Sequence, residues 1–236
     1  TDKTKEIVSE YGITIIDFKW NGKFPKKRNW TLRNVKLEFD WVLFLDADEM
    51  LTTEVIDEIG TKIKSTKYNG YWLSYKNFFL GKELHFGDEM RKLALFKKQY
   101  GEYECIEENS WSHLDMEIHE HPIVKGLTSN IRSKIIHNDY NGIEHYISKH
   151  NAYSTWESLR YLQLTRDSKL EFTFRQRVKY KFMELQFFPT AYFIYAYLFR
   201  LGFLDGKSGY YLAKLKANYF LQIKLKILEN RRDCGL

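Results

Sequence analysis

Apolar and polar positions along this chain fall into helical, alternating and continuous patterns, and the continuous one is the most telling. Trp41, Val42, Leu43, Phe44 and Leu45 form an unbroken apolar run that ends in Asp46, Asp48 and Glu49. A run of that kind predicts a strand from Trp41 to Asp46 buried on both faces, as in a parallel sheet covered by helices. Upstream, Thr1 to Tyr11 reads as a capped helix closed by Gly12, and Ile13 to Phe18 as a strand. Asn21 to Arg28 is a polar, basic loop, followed by a short helix from Asn29 to Glu38. Downstream, Thr52 or Thr53 caps a helix with an apolar face of Val55, Ile56, Ile59 and Ile63. Gly70 to Tyr75, Lys92 to Phe96 and Ile131 to Ile136 read as strands, the last ending at His137. Gly101 to His121 is irregular, acidic and rich in His and Trp, as a binding loop is. Ile143 to Leu164 fits a helix with Ile143, Tyr146, Ile147, His150 and Ser154 along one side.

The final third changes character. Phe187 to Phe199 is almost wholly apolar and aromatic, but it is shorter than the ~20 residues of a membrane span and contains Pro189. Basic residues flank it: Arg175, Arg177, Lys179, Lys181 and Arg200. That arrangement suits a helix lying in a membrane interface, with a buried helix or a dimer interface as the alternatives. In Tyr210 to Arg232, Leu212, Leu215, Tyr219, Ile223 and Ile227 line a helix face, whereas Gln222 to Ile227 alternates as a strand would; we assign helix.

Composition narrows the class. A chain of 236 residues suits one large domain, or a core domain with an appendage. With 44% hydrophobic and 29% charged residues the chain is not of a disordered type. The net charge of +6 points to an anionic partner, a nucleotide or a phospholipid surface. Nucleic acid ranks last, since no zinc-finger, RNA-recognition or helix-turn-helix signature accompanies the charge. Cys105 and Cys234 cannot make a disulfide framework and indicate a reducing compartment. A domain opening on a crossover helix, with no initiator methionine, is expected to be a fragment that lacks its first strand.

The acids after the buried run come first among candidate reaction centres. Open α/β sheets bind ligands beyond the carboxyl ends of their strands. Asp48 there is placed to hold a divalent cation, and Asp46 to hold the cation or a sugar ring. A solvated turn is the bland alternative. Lys26, Lys27 and Arg28 read as contacts to a nucleotide or diphosphate or as a solvated loop, and Arg91 carries the same two readings. In Asp115 to His121 a carboxylate could take the proton of an attacking hydroxyl. Glu120 is the chosen base, with Asp115 and Glu117 as rivals, His119 and His121 as its partners, and an acidic surface loop as the plain reading. His113 lies too far upstream, with no cysteine near, for a zinc site. His137 is a further metal ligand or a structural histidine.

With these residues assembled, the chain resembles family 2 glycosyltransferases of the GT-A fold, in particular the bacterial type that builds lipopolysaccharide core and surface polysaccharide. Thr1-Asp2-Lys3-Thr4 resembles the end of that family's Asp-Ser-x-Ser-Thr-Asp-x-Thr segment, and Arg28-Asn29 its Arg-Asn before the second nucleotide-binding helix. Asp40 to Glu49 resembles its metal-binding Asp-x-Asp segment, and Ile118-His119-Glu120 a His-Glu pair near the acceptor site. Gly202 to Gly206 and the helices around it resemble the membrane-associated tail of that group. The resemblance implies an α/β fold, a GT-A nucleotide-diphospho-sugar transferase-like mixed sheet flanked by helices with its first strand missing. A truncated catalytic domain would span 1–165, and a helical, membrane-interface region 166–236.

It further implies a metal-dependent, inverting hexosyl transfer from a nucleotide donor, UDP-linked, to a lipid-linked or polysaccharide acceptor. Mg²⁺ or Mn²⁺ would sit at Asp48, with Asp46 and His137; Lys27, Arg28, Asn29, Asp46 and Arg91 would meet the donor; Glu120 would be the base. The protein would be cytoplasmic, peripheral at the inner face of the membrane, binding no nucleic acid. The family's uracil-contacting acid would lie upstream of Thr1, after an apolar strand. Two rival classes remain. One is a haloacid-dehalogenase-like phosphatase using Asp46 and Asp48, against which Met50 and Leu51 stand where Thr or Val is wanted. The other is a non-enzymatic membrane- or glycan-binding module.

Overall fold

The computed structural model describes residues 3–21, 24–64, 66–87, 89–105, 121–166, 180–183 and 185–233. The protein is mixed α/β. In chain order the elements are α1 (Thr4–Glu10), α2 (Lys27–Asn34), β1 (Trp41–Leu43), β2 (Glu49–Met50), α3 (Thr53–Lys62), β3 (Gly70–Phe79), β4 (Lys82–Leu84), β5 (Arg91–Lys97), β6 (Gly101–Tyr103), β7 (Pro122–Val124), β8 (Thr128–His137), α4 (Ile143–Arg166), α5 (Phe188–Ile194) and α6 (Gly206–Asp233).

The main sheet runs β1-β5-β3-β8-β2, with β4 hairpinned onto the end of β3. Among the described residues, only β3 and β8 pair in parallel and every other pairing is antiparallel. β3 lies between two long neighbours, which explains its near-continuous burial and its Tyr-, Trp- and Phe-rich sequence. The core beneath it gathers Val55, Leu73, Ile131 and Ile135, with α3 laid across β8. Thr52 caps α3, its hydroxyl accepting the Val55 N–H at 3.4 Å.

Several expectations change. The strand at Trp41 is three residues long and only half-buried, because among the described residues it pairs on one side alone, antiparallel to β5. The apolar run continues past it as a turn in which the Phe44 ring packs between Phe96 and Tyr103. Ile13 to Phe18 pairs with no strand among the described residues, and Ile13, Ile15 and Ile16 are exposed. On α3, Val55, Ile59 and Ile63 share the inward stripe at steps of four, which leaves Ile56 54% exposed. Likewise Tyr146, His150 and Ser154 turn inward on α4, whereas Ile143 and Ile147 lie outside.

The C-terminal third builds a second core. Tyr161 and Leu162 of α4 meet Tyr180, Met183 and, from α6, Ile223 and Ile227. Lys226 of α6 reaches back to α4, donating to the Asn151 carbonyl at 2.8 Å and to the Thr155 hydroxyl at 2.7 Å. The ambiguous stretch 210–232 is helical throughout, and its helix-face residues Tyr219, Ile223 and Ile227 are the ones that pack. The aromatic run 187–199 is split between α5 and a π-helical turn, Tyr195–Phe199. No described helix is long and apolar enough to cross a membrane.

Candidate active site

The acid-bearing turn follows directly from strand pairing. After β1 the chain folds back, with the Glu49 N–H donating to the Asp46 carbonyl at 3.0 Å. β2 then enters the sheet at its far edge, antiparallel to β8, with Glu49 opposite His137. This register brings Asp48 against the end of β8. His137 Nε2 lies 3.4 Å from Asp48 Oδ2, and Asp139 follows two residues later in the chain. One potential ligand atom from each of Asp48, His137 and Asp139 falls within 4.8 Å of the others. Two carboxylate oxygens and an imidazole nitrogen form a donor set suited to a small divalent cation.

Asp46 plays a different part. Its carboxylate accepts from Arg28 Nη2 at 2.6 Å and from Lys92 Nζ at 3.1 Å. Burial works against its ionisation, but Lys92 and Arg28 outweigh that and hold its pKa below the usual range. Glu49 is anchored inside: Tyr75 donates to it at 2.7 Å, and its Oε2 accepts the Asp46 N–H at 3.0 Å. Burial, reinforced by Glu49, pushes the Tyr75 pKa up and keeps the phenol a donor. Lys149 of α4 donates to Asp139 at 2.9 Å. Despite the opposing effect of burial, Lys149 and His137 together keep Asp139 below its ordinary pKa. The turn is thus a compact array of alternating charges, with Asp48, His137 and Asp139 as the acidic end.

The remaining sequence candidates distribute unevenly. Arg28 lines a cleft of about 340 Å³ together with Asp46, Asp48, His137, Asp139 and Lys149. Asn29, its neighbour on α2, is fully buried, and both ends of its amide bond the backbone of Tyr103, at 2.9 and 2.8 Å. This pair of hydrogen bonds to β6 gives the buried Asn29 amide a structural use. Lys27 is exposed on α2 and does not line the cleft. Arg91 opens β5 on the outer face; strand alternation turns Lys92, not Arg91, toward the acids. Glu120, with Asp115, Glu117, His119 and His113, lies outside the described residues, whereas His121 is exposed at the start of β7.

Sequence reasoning missed Lys92, Tyr75, Asp139 and Lys149. The His137-x-Asp139 spacing after a strand was the one available local signal. Lys92 and Tyr75 stand on separate strands and become site residues only through β3–β5 pairing. The cleft's far side comes from the C-terminal helices, through Tyr146, Lys149, His150 and Tyr153 of α4 and Leu212 and Lys216 of α6.

Comparison with known proteins bears on the same segment. Residues 1–108 match the family model described as Glycosyl transferase family 2, just under half of the 236-residue chain. The match supports a family 2 glycosyltransferase, and the mixed sheet with flanking helices is consistent with the GT-A fold. No curated protein and no solved structure matches the chain.

Proposed function

We propose that this protein transfers a sugar, as a hexosyl group with inversion, from a nucleotide donor to a glycan acceptor. One observation carries this reading: Asp48, His137 and Asp139 converge on a cleft beside Arg28, in a chain whose first 108 residues match a glycosyltransferase family. UDP is the proposed nucleotide, and the lipopolysaccharide or surface-polysaccharide type the proposed setting, on the resemblance of the Asp40 to Glu49 segment.

Asp48, His137 and Asp139 are the residues that would hold Mg²⁺ or Mn²⁺, and the mixed oxygen and nitrogen donor set fits either ion. Such an ion supplies Lewis-acid neutralisation of charge on a leaving diphosphate. Arg28 would meet a diphosphate oxygen, a role for which its fork geometry is suited. Asp46 is fixed in its ionised form by Arg28 and Lys92, ready to accept hydrogen bonds from sugar hydroxyls. Glu120 is the proposed base that takes the acceptor hydroxyl's proton as that oxygen attacks the anomeric carbon. Lys27 and Arg91 are proposed to act at longer range, as positive charge around an anionic donor.

The catalytic unit is proposed to span 1–165, with 166–236 as a helical region at the inner face of the cytoplasmic membrane. Exposed Phe187, Leu198 and Phe199 beside Arg200 support interfacial contact there. Co-sedimentation with anionic vesicles tests this, and absence of the protein from the pellet overturns it. For the reaction, the complete protein is assayed for UDP release from a panel of UDP-sugars with and without Mn²⁺. Metal-dependent release, abolished in Asp48→Ala and reduced at least a hundredfold in Glu120→Gln, is the expected result. Release that survives both substitutions unchanged removes those roles.

A further inference from the structure

Arg28 stands beside a strand that lies outside the main sheet. Among the described residues β6 pairs with β7 alone, and its last residue, Tyr103, is 5% exposed. In this ladder the Glu104 N–H donates to the His121 carbonyl at 3.0 Å. Antiparallel strands alternate, so the N–H and C=O of the preceding residue, Tyr103, turn to the opposite edge. There the Asn29 amide takes the place of a neighbouring strand, accepting the Tyr103 N–H at 2.8 Å and donating to its carbonyl at 2.9 Å. Both bonds are buried, where unpaired backbone groups would be costly. α2 is thereby locked to β6 at the residue next to Arg28.

The ring of Tyr103 completes the arrangement. Its centroid lies 5.2 Å from the Arg28 guanidinium carbon, within the range at which an aromatic face attracts a cation. Phe44 and Phe96 meet the same ring in edge-to-face geometry, at centroid distances of 5.4 and 6.1 Å, and so fix its plane. Gly101 admits this packing, because a Cβ there would overlap the Phe96 ring. From another direction Asp46 Oδ1 accepts from Arg28 Nη2 at 2.6 Å. An aromatic face and a carboxylate thus set the orientation of a guanidinium that lines the cleft. A carboxylate by itself would hold a lysine as well; the aromatic face is what suits the planar fork of an arginine.

We propose that Tyr103 is a positioning residue for the transfer reaction, its ring setting the Arg28 guanidinium to receive the donor's diphosphate. The role rests on the nucleotide-sugar function proposed above. A long side chain loses rotamer freedom when a ligand captures it, and that loss weakens binding. A guanidinium already stacked on a ring has given up much of that freedom beforehand. Tyr103 acts through Arg28 and needs no contact with the reacting atoms.

The test is made on the complete protein. In the wild type, nuclear Overhauser contacts are expected between the Arg28 guanidinium protons and the Tyr103 ring. By calorimetry, Tyr103→Leu is expected to weaken UDP binding in the presence of Mn²⁺ about tenfold, whereas Tyr103→Phe stays within twofold of wild type. Mn²⁺ binding without UDP is expected to change less than twofold in both, since its candidate ligands stand on the β2 turn and at the end of β8. In an Arg28→Met background, Tyr103→Leu is expected to weaken UDP by less than a further twofold. Wild-type UDP affinity in Tyr103→Leu, a full tenfold loss in the Arg28→Met background, or a parallel loss of Mn²⁺ overturns the positioning role. Absence of the Overhauser contacts in the wild type does so too, and decides the matter if Tyr103→Leu does not fold. A wild-type protein that shows those contacts but binds no UDP overturns the transferase reading, and the positioning role with it.

Discussion

Lys92 Nζ lies 2.6 Å from each carboxylate oxygen of Glu49, whose side chain is 1% exposed, and also reaches Asp46 at 3.1 Å. One lysine on β5 therefore serves two acids of the same turn. The arrangement separates the acids by role: Glu49 and Asp46 are neutralised from within by Lys92 and Arg28. Asp48, between them in the chain, remains with His137 and Asp139 at the cleft. Local charge balance thus leaves Asp48 available to the candidate metal site on a turn that could not otherwise keep three carboxylates close together.

Replacing Lys92 by Met is expected to strand the Glu49 carboxylate in the interior. Breaking a buried ion pair by removing one partner costs roughly 3 kcal/mol or more, so urea unfolding of Lys92→Met should show a loss of that order. Pairing it with Glu49→Gln should restore a large part of the loss, since the orphaned charge is then gone. Equal stability of Lys92→Met and wild type would show that the pair has little structural weight.

Lys149 holds Asp139, one of the three residues of the candidate metal site. Lys149→Met is expected to weaken Mn²⁺ binding about 10- to 100-fold, as loss of a ligand's supporting contact does. The pH dependence has a definite sign. Burial favours the protonated acid, and Lys149 reverses that preference. Without Lys149 the Asp139 pKa rises, and calorimetry across pH should show Mn²⁺ binding lost at a higher pH than in wild type.

Glu58 ties α3 to β8. It accepts the Arg132 N–H at 2.9 Å and the Ser133 N–H at 2.8 Å, and pairs with Lys62 at 2.8 Å. Burial opposes ionisation, but these donors lower its pKa from 4.5 to about 2. A depressed folded-state pKa means that its stabilising contribution is complete above the unfolded value. The contribution then disappears as the pH falls toward about 2. Allowing for solvent screening, Glu58→Gln should cost about 1 kcal/mol at pH 7. The difference from wild type should shrink when unfolding is measured near pH 2.5. A difference that does not change with pH refutes the assignment.

Gly209, in the first turn of α6, packs directly on the Gly202 backbone, and a Cβ there would overlap the Gly202 carbonyl oxygen and touch Asp205. Backbone cannot move aside as a flexible side chain can. Gly209→Ala is therefore expected to lower stability by about 2 kcal/mol. Because it displaces the segment whose Asp205 carboxylate accepts the N–H groups of His85 and Phe86, it should also broaden the amide NMR signals of those two residues. Unchanged signals with unchanged stability would show that α6 can shift without strain.

What the sequence by itself determined was local. The apolar run from Trp41 marked where the acids would fall, Thr52 marked the start of α3, and the end of the Ile131 strand marked His137. Steps of four marked Val55, Ile59 and Ile63 on α3 and Tyr219, Ile223 and Ile227 on α6 as packing residues, whereas Ile56, also read into the α3 face, lies outside. Such features are legible because side-chain direction, capping and burial repeat with the geometry of a single element. The tertiary structure decided how those elements meet. The strand at Trp41 lies at an edge of the described sheet, not buried on both faces, since an apolar run does not state how many neighbours it will have. Asn29 is taken up by the Tyr103 backbone, and Lys92 in place of Arg91 faces the acids, because those partners come from β6 and β5. Above all, the pairing of β2 with β8 sets Glu49 opposite His137 and so gathers Asp48, His137 and Asp139. Strand register is set by hydrogen bonds and packing between distant segments, and no local pattern along the chain carries it.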